Sequence, residues 1–498
     1  MQIFNFKKGS LLVTTLVFSS IATIVISGVV TYLAVLIKTS SYISAREQAF
    51  HVAESGIDYY RWHLAHAPTD FQDGTGGPGP YVHILNDKDG NPKGIFELTI
   101  TPPPVGSTLV TIKSVGRIYA SSSPSRSITT KLAVPSFAKY AVVANDDMRF
   151  GEGTEVFGPI HSNGGIRFDG LAHNIISSSL SNYNDPDHSG ANEFAVHTHV
   201  NAPPSSGVNS AFRPLEAPPS AVSPRPDVFI AGRLFPVSTV DFNGITADLS
   251  KMKADASTTT GAGKYFSPSG AQGYYIVLKT NDTFDIYKVT ALTAPPSNCS
   301  NVLSQTGWGT WSIRTKVHPV TGVVNSPQNF PLPANGIIFV EDHLWVDGQI
   351  NTARVTLAAG SFPDSPSQRK SITVNNDLLY TNYDGSDVLS LIAQNNINIG
   401  MVSDTDLRID GALIAQNGRV GRYYYDPNAN WPSGGGSSRC SPYHTRNLIT
   451  LYGMIGTNIR YGFAYTDDTG YADRTLIYDP NLLYGPPPSF PLTSDQYQ

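Results

Sequence analysis

An uncharged apolar stretch near the amino terminus constrains the fold more than any other feature. Residues 9–37 contain no charged side chain and are mostly Leu, Val, Ile, Ala, Ser and Thr. About 20 such residues already cross a hydrocarbon core as a helix. The stretch therefore predicts one membrane-spanning helix. A secretory signal would have an apolar core of about 7–15 residues and a small-residue cleavage site, which is not found here.

The helix is expected to continue well beyond the membrane. Apolar residues such as Ala45, Ala49, Ala53 and Ile57 recur at three- and four-residue steps, and no proline occurs from the apolar stretch to Pro68. A helix over residues 10–66 would be on the order of 80 Å long. Its outer half has an apolar stripe that needs a partner.

A small antiparallel sheet is the expected partner of that stripe. Three runs of alternating apolar residues, 95–101, 107–119 and 127–134, are separated by proline- and serine-rich turns. We therefore predict a β head over residues 67–135 that packs on the outer half of the helix.

The amino-terminal residues resemble a known family. The basic leader Lys7-Lys8-Gly9, the apolar helix that starts at Ser10, and residues 48–56 (Gln-Ala-Phe-His-Val-Ala-Glu-Ser-Gly) are similar to type IV pilins and pseudopilins, in particular to PilX-type minor pilins. The resemblance implies a leader over 1–9, a prepilin peptidase that cuts between Gly9 and Ser10, and methylation of the new amino terminus. It also implies an assembly motif, which comprises Thr14, Gln48, Ala49, Ala53, Glu54 and Gly56.

The same resemblance implies partners and location. The helix would be held in the bacterial cytoplasmic membrane and then extracted into a filament with other pilin subunits by the assembly machinery. Lys7 and Lys8 place the amino terminus in the cytoplasm by the positive-inside rule, so the body lies outside. Thr14 stands where major pilins carry a Glu, and this departure favours a minor subunit that initiates, caps or decorates the fibre. A permanently anchored surface binding protein is the alternative.

Residues 136–498 show a β pattern with a repeat. Residues 391–395 and 413–417 are identical, at a spacing of 22, and other strand starts step by 17 or 18. Such periods predict a stacked solenoid, which we interpret as a right-handed parallel β-helix with an antiparallel β-sandwich as the alternative. Residues 175–335 break the rhythm and are expected to be an irregular insertion. The Tyr- and Pro-rich end, residues 451–498, is expected to be extended and to cap a terminal coil.

Composition excludes a nucleic-acid partner and leaves undecided whether the two cysteines form a disulfide. The net charge is -5, and the body has no Lys/Arg cluster that could follow phosphates, so we expect no nucleic-acid partner. Cys299 and Cys440 are the two cysteines. They could form one disulfide in an oxidising compartment, and the sequence leaves this pairing open.

The body contains candidates for chemistry, but we predict no enzyme. Solenoid polysaccharide enzymes use carboxylate clusters, and an enzyme of this kind is the third functional alternative. We also expect that the body can bind a sugar or protein ligand at the cell surface. The carboxylates considered are Asp347, Asp377, Asp384, Asp387, Asp404, Asp406 and Asp410, and nearly all lie beside Gly or Asn in predicted turns. His197 and His199 share one strand face, with Asp185, Asp187 and His188 upstream. We interpret them as loop residues and predict no metal and no cofactor.

Overall fold

The computed structural model describes residues 8–103, 108–119, 124–134, 136–242, 244–257, 262–427, 439–492 and 497, without the side chains of 8–10, 244–247 and 484. These residues divide into two compact units. One unit draws on Met1–Pro102, Val110–Leu132 and Gln496–Gln498, and the other draws on Pro103–Leu109 and Ala133–Asp495. We call them the head unit and the body.

The head unit is one long helix with a four-stranded antiparallel sheet. Helix α1 (Lys8–His66) is followed by β1 (Tyr81–Asn86), β2 (Pro92–Thr101), β3 (Val110–Ile118) and β4 (Ser125–Leu132), which pair in that order. The predicted helix and antiparallel meander are confirmed, and β1 is an additional strand. In β3, alternate residues from Val110 onward are buried, as expected for a sheet with one covered face.

The body is built mainly from short strands. Its elements are β5 (Val142–Ala144), β6 (Met148–Phe150), β7 (Glu155–Phe157), β8 (Ile160–Ser162), β9 (Ile166–Phe168), β10 (Leu171–Ala172), β11 (Ile176–Ser178), β12 (Asn182–Tyr183), β13 (Glu193–Phe194), β14 (Val196–His197), β15 (Arg233–Leu234), α2 (Gly244–Ser257), β16 (Lys264–Phe266), β17 (Gly273–Leu278), β18 (Thr283–Leu292), β19 (Ile313–Val317), β20 (Gln328–Pro331), β21 (Ile337–Val340), β22 (Leu344–Ile350), β23 (Arg354–Ala359), β24 (Ile372–Thr373), β25 (Leu378–Tyr380), β26 (Val388–Ala393), β27 (Ile397–Ile399), β28 (Asp406–Ala415), β29 (Val420–Arg422), β30 (Thr445–Thr457), β31 (Gly470–Tyr478) and α3 (Asn481–Tyr484).

Parallel pairing organises these strands into a stack. One ladder runs β21, β23, β26, β28, β30, β5, β8 and β11, with every neighbouring pair parallel. The repeat found in the sequence lies in it, because Leu391 pairs with Leu413 and Ala393 with Ala415. Parallel stacking of the repeat is confirmed and disagrees with an antiparallel sandwich, whereas right-handed winding stays a prediction.

The strand order corrects the expected role of the carboxyl-terminal segment. Strand β30 pairs with β28 on one side and with β5 on the other, and β31 pairs with β7. These strands therefore lie inside the stack, and the expectation that residues 451–498 cap a terminal coil is wrong. Only the later tail runs alongside: Arg354 donates to the carbonyl of Pro486 at 2.6 Å, and Thr356 donates to that of Pro488 at 2.6 Å.

The segment 175–335 contains structure that the sequence did not predict. Strands β17 to β20 pair antiparallel with one another, while β16 and β17 also join the stack by parallel pairs to β21 and β22. Helix α2 was not predicted. It buries Leu249 and Met252 in a cluster with Ile337 and Phe339.

Candidate functional site

The amino-terminal half of α1 presents an uncovered apolar surface. The helix is long and apolar enough to cross a membrane, and Leu11, Phe18 and Ile24 are 73%, 68% and 71% exposed. Of the predicted processing residues, Lys8, Gly9 and Ser10 lie in the first turns of α1, and Lys7 lies outside the described residues. Thr14 lies on the exposed part of the helix.

The other half of α1 is held against its own sheet by unusually close packing. Ala49 and Ala53 are fully buried. A Cβ added to Gly116 of β3 would lie 2.3 Å from the nitrogen of Ala53 and 2.4 Å from the carbonyl oxygen of Ala49. A Cβ on Gly56 would lie 2.3 Å from Oγ of Ser114. Small residues on both sides therefore let the helix backbone approach the strand backbone.

The predicted assembly motif is thus divided between two surfaces. Ala49, Ala53 and Gly56 are covered by the sheet of the same chain, so they position the head on the helix. Gln48 and Glu54 remain exposed, and Oε2 of Glu54 lies 3.2 Å from Nδ1 of His51. An exposed pair of this kind adds little stability. The side chains of Gln48 and Glu54 therefore stay available to a neighbouring molecule.

Cys299 and Cys440 form a disulfide across the body. Their Cα atoms lie 4.6 Å apart, although 141 positions separate them in the chain. Both are buried among aromatic side chains that include Tyr423 and Tyr425. The bond therefore ties the irregular segment to the region that follows β29.

The seven aspartates considered for catalysis do not form one site. Five of them accept hydrogen bonds from distant parts of the stack: Asp347, Asp377, Asp387, Asp406 and Asp410. Asp387, for example, accepts from the backbone nitrogens of Ala353 and Thr381. Asp384 accepts from the backbone nitrogen of Ser386 in its own turn. Burial raises the pKa of Asp404, and the charge of Asp377 raises it further. Burial also raises the pKa of Asp347 and of Asp410, against opposing hydrogen bonds.

The structure gathers most of the histidine and carboxylate residues noted near position 190. Five side chains each offer one ligand atom, and these atoms all lie within 4.8 Å of one another: Asp185, His188, Glu193, His197 and His199. We call this group the histidine–carboxylate cluster. Its side chains are 7% exposed or less. Asp187 points elsewhere, and its carboxylate oxygens lie 3.1 Å from the guanidinium of Arg460.

Glu193 is the member that sequence reasoning missed. It lies in β13, which pairs antiparallel with β12 just upstream of Asp185, while β14 carries His197 and pairs in parallel with β9. Two-residue strands leave no periodic pattern in a sequence. The sequence signal available was the spacing of His197, His199 and the acidic residues that precede them. This signal indicated the region but did not identify Glu193.

The carboxylates of the cluster are held in the charged form. Burial opposes ionisation of both, but neighbouring imidazoles and backbone N–H groups outweigh it, so the pKa of Asp185 and the pKa of Glu193 lie below their usual values. The cluster therefore combines negative oxygens with imidazole nitrogens in a buried place.

Comparison with known proteins adds no argument about the fold or the function of this chain. No protein-family model matches the chain, and no curated protein matches it. Among solved structures, it is similar to the competence-associated pilin ComZ from Thermus thermophilus, with 13% identity over 91% of this chain and 96% of that chain, and a TM-score of 0.29. A superposition at that score carries no argument about function.

Proposed function

We propose that this chain is a minor subunit of a type IV pilus-like filament and is anchored in the membrane before assembly. One observation carries the proposal. Helix α1 is unbroken from Lys8 to His66, its first half exposes apolar side chains, and its second half is covered by an antiparallel sheet. An exposed apolar surface of this size requires lipid or other apolar helices around it.

The division of the helix suits a subunit that changes its surroundings. In the membrane, the apolar half would be solvated by lipid, and in a filament it would pack against the same half of neighbouring subunits. The four-stranded sheet would not have to rearrange, because its contacts with α1 begin at about Ala49, beyond the apolar half of the helix. The resemblance to PilX-type minor pilins and the Thr14 departure support a minor rather than a bulk subunit.

We propose a non-enzymatic role for the body. The predicted carboxylates are mostly engaged in backbone hydrogen bonds of the stack, as for Asp387 and Asp410, and such carboxylates are poorly placed to act on a substrate. The body would then be the part displayed outside the envelope, where it initiates, caps or decorates the fibre and contacts surfaces.

Processing of the amino terminus tests the proposal. The full chain is produced in a bacterium with or without a prepilin peptidase that is known to cut a control pilin, and the intact mass is measured. We expect loss of residues 1–9 and one added methyl group on Ser10 only with the peptidase. Gly9→Val should block cleavage, whereas the matched change Gly28→Val should not, because a Cβ at Gly28 meets nothing within 4 Å.

Retention of the leader beside an active peptidase would contradict the proposal and favour the permanently anchored binding protein. Assembly is tested separately by shearing filaments from cells of the source organism and probing for the chain. We expect the chain in the sheared fraction. Its complete absence there, with full recovery in the membrane fraction, would also contradict the proposal.

A further inference from the structure

We propose that the histidine–carboxylate cluster binds one divalent transition-metal ion, with Zn²⁺ as the preferred ion, and that this ion fastens the short strands β12 to β14. The proposal concerns the body alone and does not depend on assembly into a filament. Imidazole nitrogens and carboxylate oxygens are established ligands for such ions.

The spacing of the ligand atoms is the first argument. Nε2 of His188, His197 and His199 lies 2.8, 3.2 and 3.4 Å from Oε2 of Glu193, and 3.5, 3.5 and 3.9 Å from Oδ2 of Asp185. Zinc bonds of about 2.0–2.1 Å in a tetrahedral arrangement would separate the ligand atoms by roughly 3.3 Å. The six distances scatter around that value, as expected for atoms that surround one centre.

The orientation of two imidazoles is the second argument. Nδ1 of His197 lies 3.1 Å from the carbonyl oxygen of Phe194, and Nδ1 of His199 lies 2.8 Å from that of Asn209. A carbonyl oxygen only accepts, so each Nδ1 carries the proton. In a neutral ring, Nε2 then offers a lone pair, and it does so toward the carboxylates. This is the arrangement by which proteins orient metal-binding histidines.

The carboxylates are oriented in the same way. Oδ1 of Asp185 accepts from the backbone nitrogen of Asp187 at 2.9 Å, and Oε1 of Glu193 accepts from that of Arg213 at 2.8 Å. Each carboxylate therefore uses one oxygen for the protein and directs the other to the centre of the cluster. A hydrogen bond to the second oxygen of a metal-binding carboxylate serves the same purpose.

Unpaired buried atoms are the third and independent argument. Among the described residues, Oδ2 of Asp185 and Nε2 of His197 form no hydrogen bond, although both are buried and lie only 3.5 Å apart. Leaving such atoms unpaired is costly. Nε2 of His188 and of His199 do have hydrogen-bond geometry toward Oε2 of Glu193, at 2.8 and 3.4 Å.

The local charge also favours a dication. Arg167 is buried beside the cluster, but its Nε already donates to Asp169 at 2.7 Å, and its Nη1 lies 3.6 Å from Oδ2 of Asp185. A metal ion binds neutral imidazoles, and in that form the three carboxylates of Asp169, Asp185 and Glu193 exceed the one guanidinium by two negative charges. A divalent ion would cancel this excess in a place where uncompensated charge is expensive.

Metal content of the full chain in detergent tests the proposal. After equilibration with Zn²⁺ and removal of free metal by gel filtration, we expect about one zinc per chain by elemental mass spectrometry. His197→Gln and Glu193→Gln should each lower the retained zinc at least tenfold. The control His161→Gln should retain it, because His161 is equally buried but lies outside the cluster, against Ser177 and Asn163.

A second measurement does not depend on how the variants fold. Wild-type chain loaded with Co²⁺ instead of Zn²⁺ should show the visible absorption of four- or five-coordinate cobalt with nitrogen and oxygen ligands, and an excess of Zn²⁺ should remove it. A chain that retains neither metal, or that retains zinc equally in wild type and in His197→Gln, would overturn the proposal. Cobalt bound only with the spectrum of the hexahydrated ion would do the same.

Discussion

Gly116 should be the most sensitive position in the contact between α1 and its sheet. A Cβ at this residue would come within 2.4 Å of two backbone atoms, the nitrogen of Ala53 and the carbonyl oxygen of Ala49. Strand β3 cannot move away easily, because Gly116 pairs with Phe96 on one side and with Arg126 on the other. Gly116→Ala should therefore force the helix and the sheet apart.

The expected cost is that of overpacking. Extra methyl groups in a tightly packed interior typically cost about 1–3 kcal/mol. That range corresponds to an opening equilibrium about 5- to 150-fold more favourable. Hydrogen exchange of the full chain in detergent, followed at the backbone amides of β2 and β3, measures this equilibrium directly. We expect those amides to exchange faster by that factor, while amides of the body keep their wild-type rates.

Two further variants separate close packing from a general effect of alanine. Gly77→Ala is the matched control in the head unit, because its Cβ would meet only Oγ1 of Thr75, at 4.0 Å. Adding Ala53→Gly to Gly116→Ala should not restore protection, since the clash is with backbone atoms that glycine retains. Unchanged exchange in Gly116→Ala, or an equal acceleration in Gly77→Ala, would refute the reasoning.

Three other predictions concern the body. Replacing Cys299 and Cys440 by serine should lower its free energy of unfolding by about 2–5 kcal/mol in a urea titration, because the bond closes a long loop; an unchanged midpoint would contradict this. Burial lowers the pKa of His343 to about 4, aided by the charge of Lys370. An unfolded chain takes up this proton near pH 6.5, so stability should fall by up to about 1.4 kcal/mol per pH unit from 6.5 down to 4. His343→Asn should flatten that slope, and an equal slope would be evidence against it. Asn145→Ala, which removes side-chain bonds to Asn458 and Asn163 at 2.9 and 2.7 Å, should cost about 0.5–1.5 kcal/mol per bond. Because Asn145 and Asn163 share one of these bonds, Asn145→Ala combined with Asn163→Ala should cost less than the sum of the two single changes, and a cost equal to that sum would contradict the coupling.

Local patterns predicted the elements whose partners are near in sequence or repeated. The helix followed from unbroken periodicity, and the pairing of Leu391 with Leu413 followed from an identical five-residue repeat. Within that repeat, Nδ2 of Asn417 donates to the main-chain carbonyl of Gln394 at 2.8 Å and so links neighbouring coils. Side-chain amides also link neighbouring strands where Asn145 contacts Asn458 and Asn163, and no sequence repeat marks these positions.

The cluster and the small-residue contact show why other features escaped prediction. Ala49 and Ala53 were recognised as part of a motif, but their use depends on Gly116, about 60 positions later, and the pairing of two small surfaces has no sequence signature. Glu193 joins the cluster only because β12 and β13 fold back on each other over two residues each. In both cases the geometry comes from non-local contacts that periodicity does not encode.

The order of strands in the stack defines the path on which helix α2 lies. Strand β5 lies between β30 and β8 in the stack. From β5 the chain therefore adds strands in one direction, as far as β11 and β15, which form one end of the stack among the described strands. It then resumes at β16, which pairs with β21 at the other end. With strands about 4.8 Å apart, the two ends are separated by on the order of 40 Å, which residues 235–263 must cross. Helix α2 lies in this crossing, and its side chains share a buried cluster with residues from several coils of the stack, including Val143, Phe339 and Ile392. Helix α2 is therefore held on the return path by contacts with several coils of the stack. A prediction from the repeat assumes that coils stack in chain order, so it could not have located helix α2.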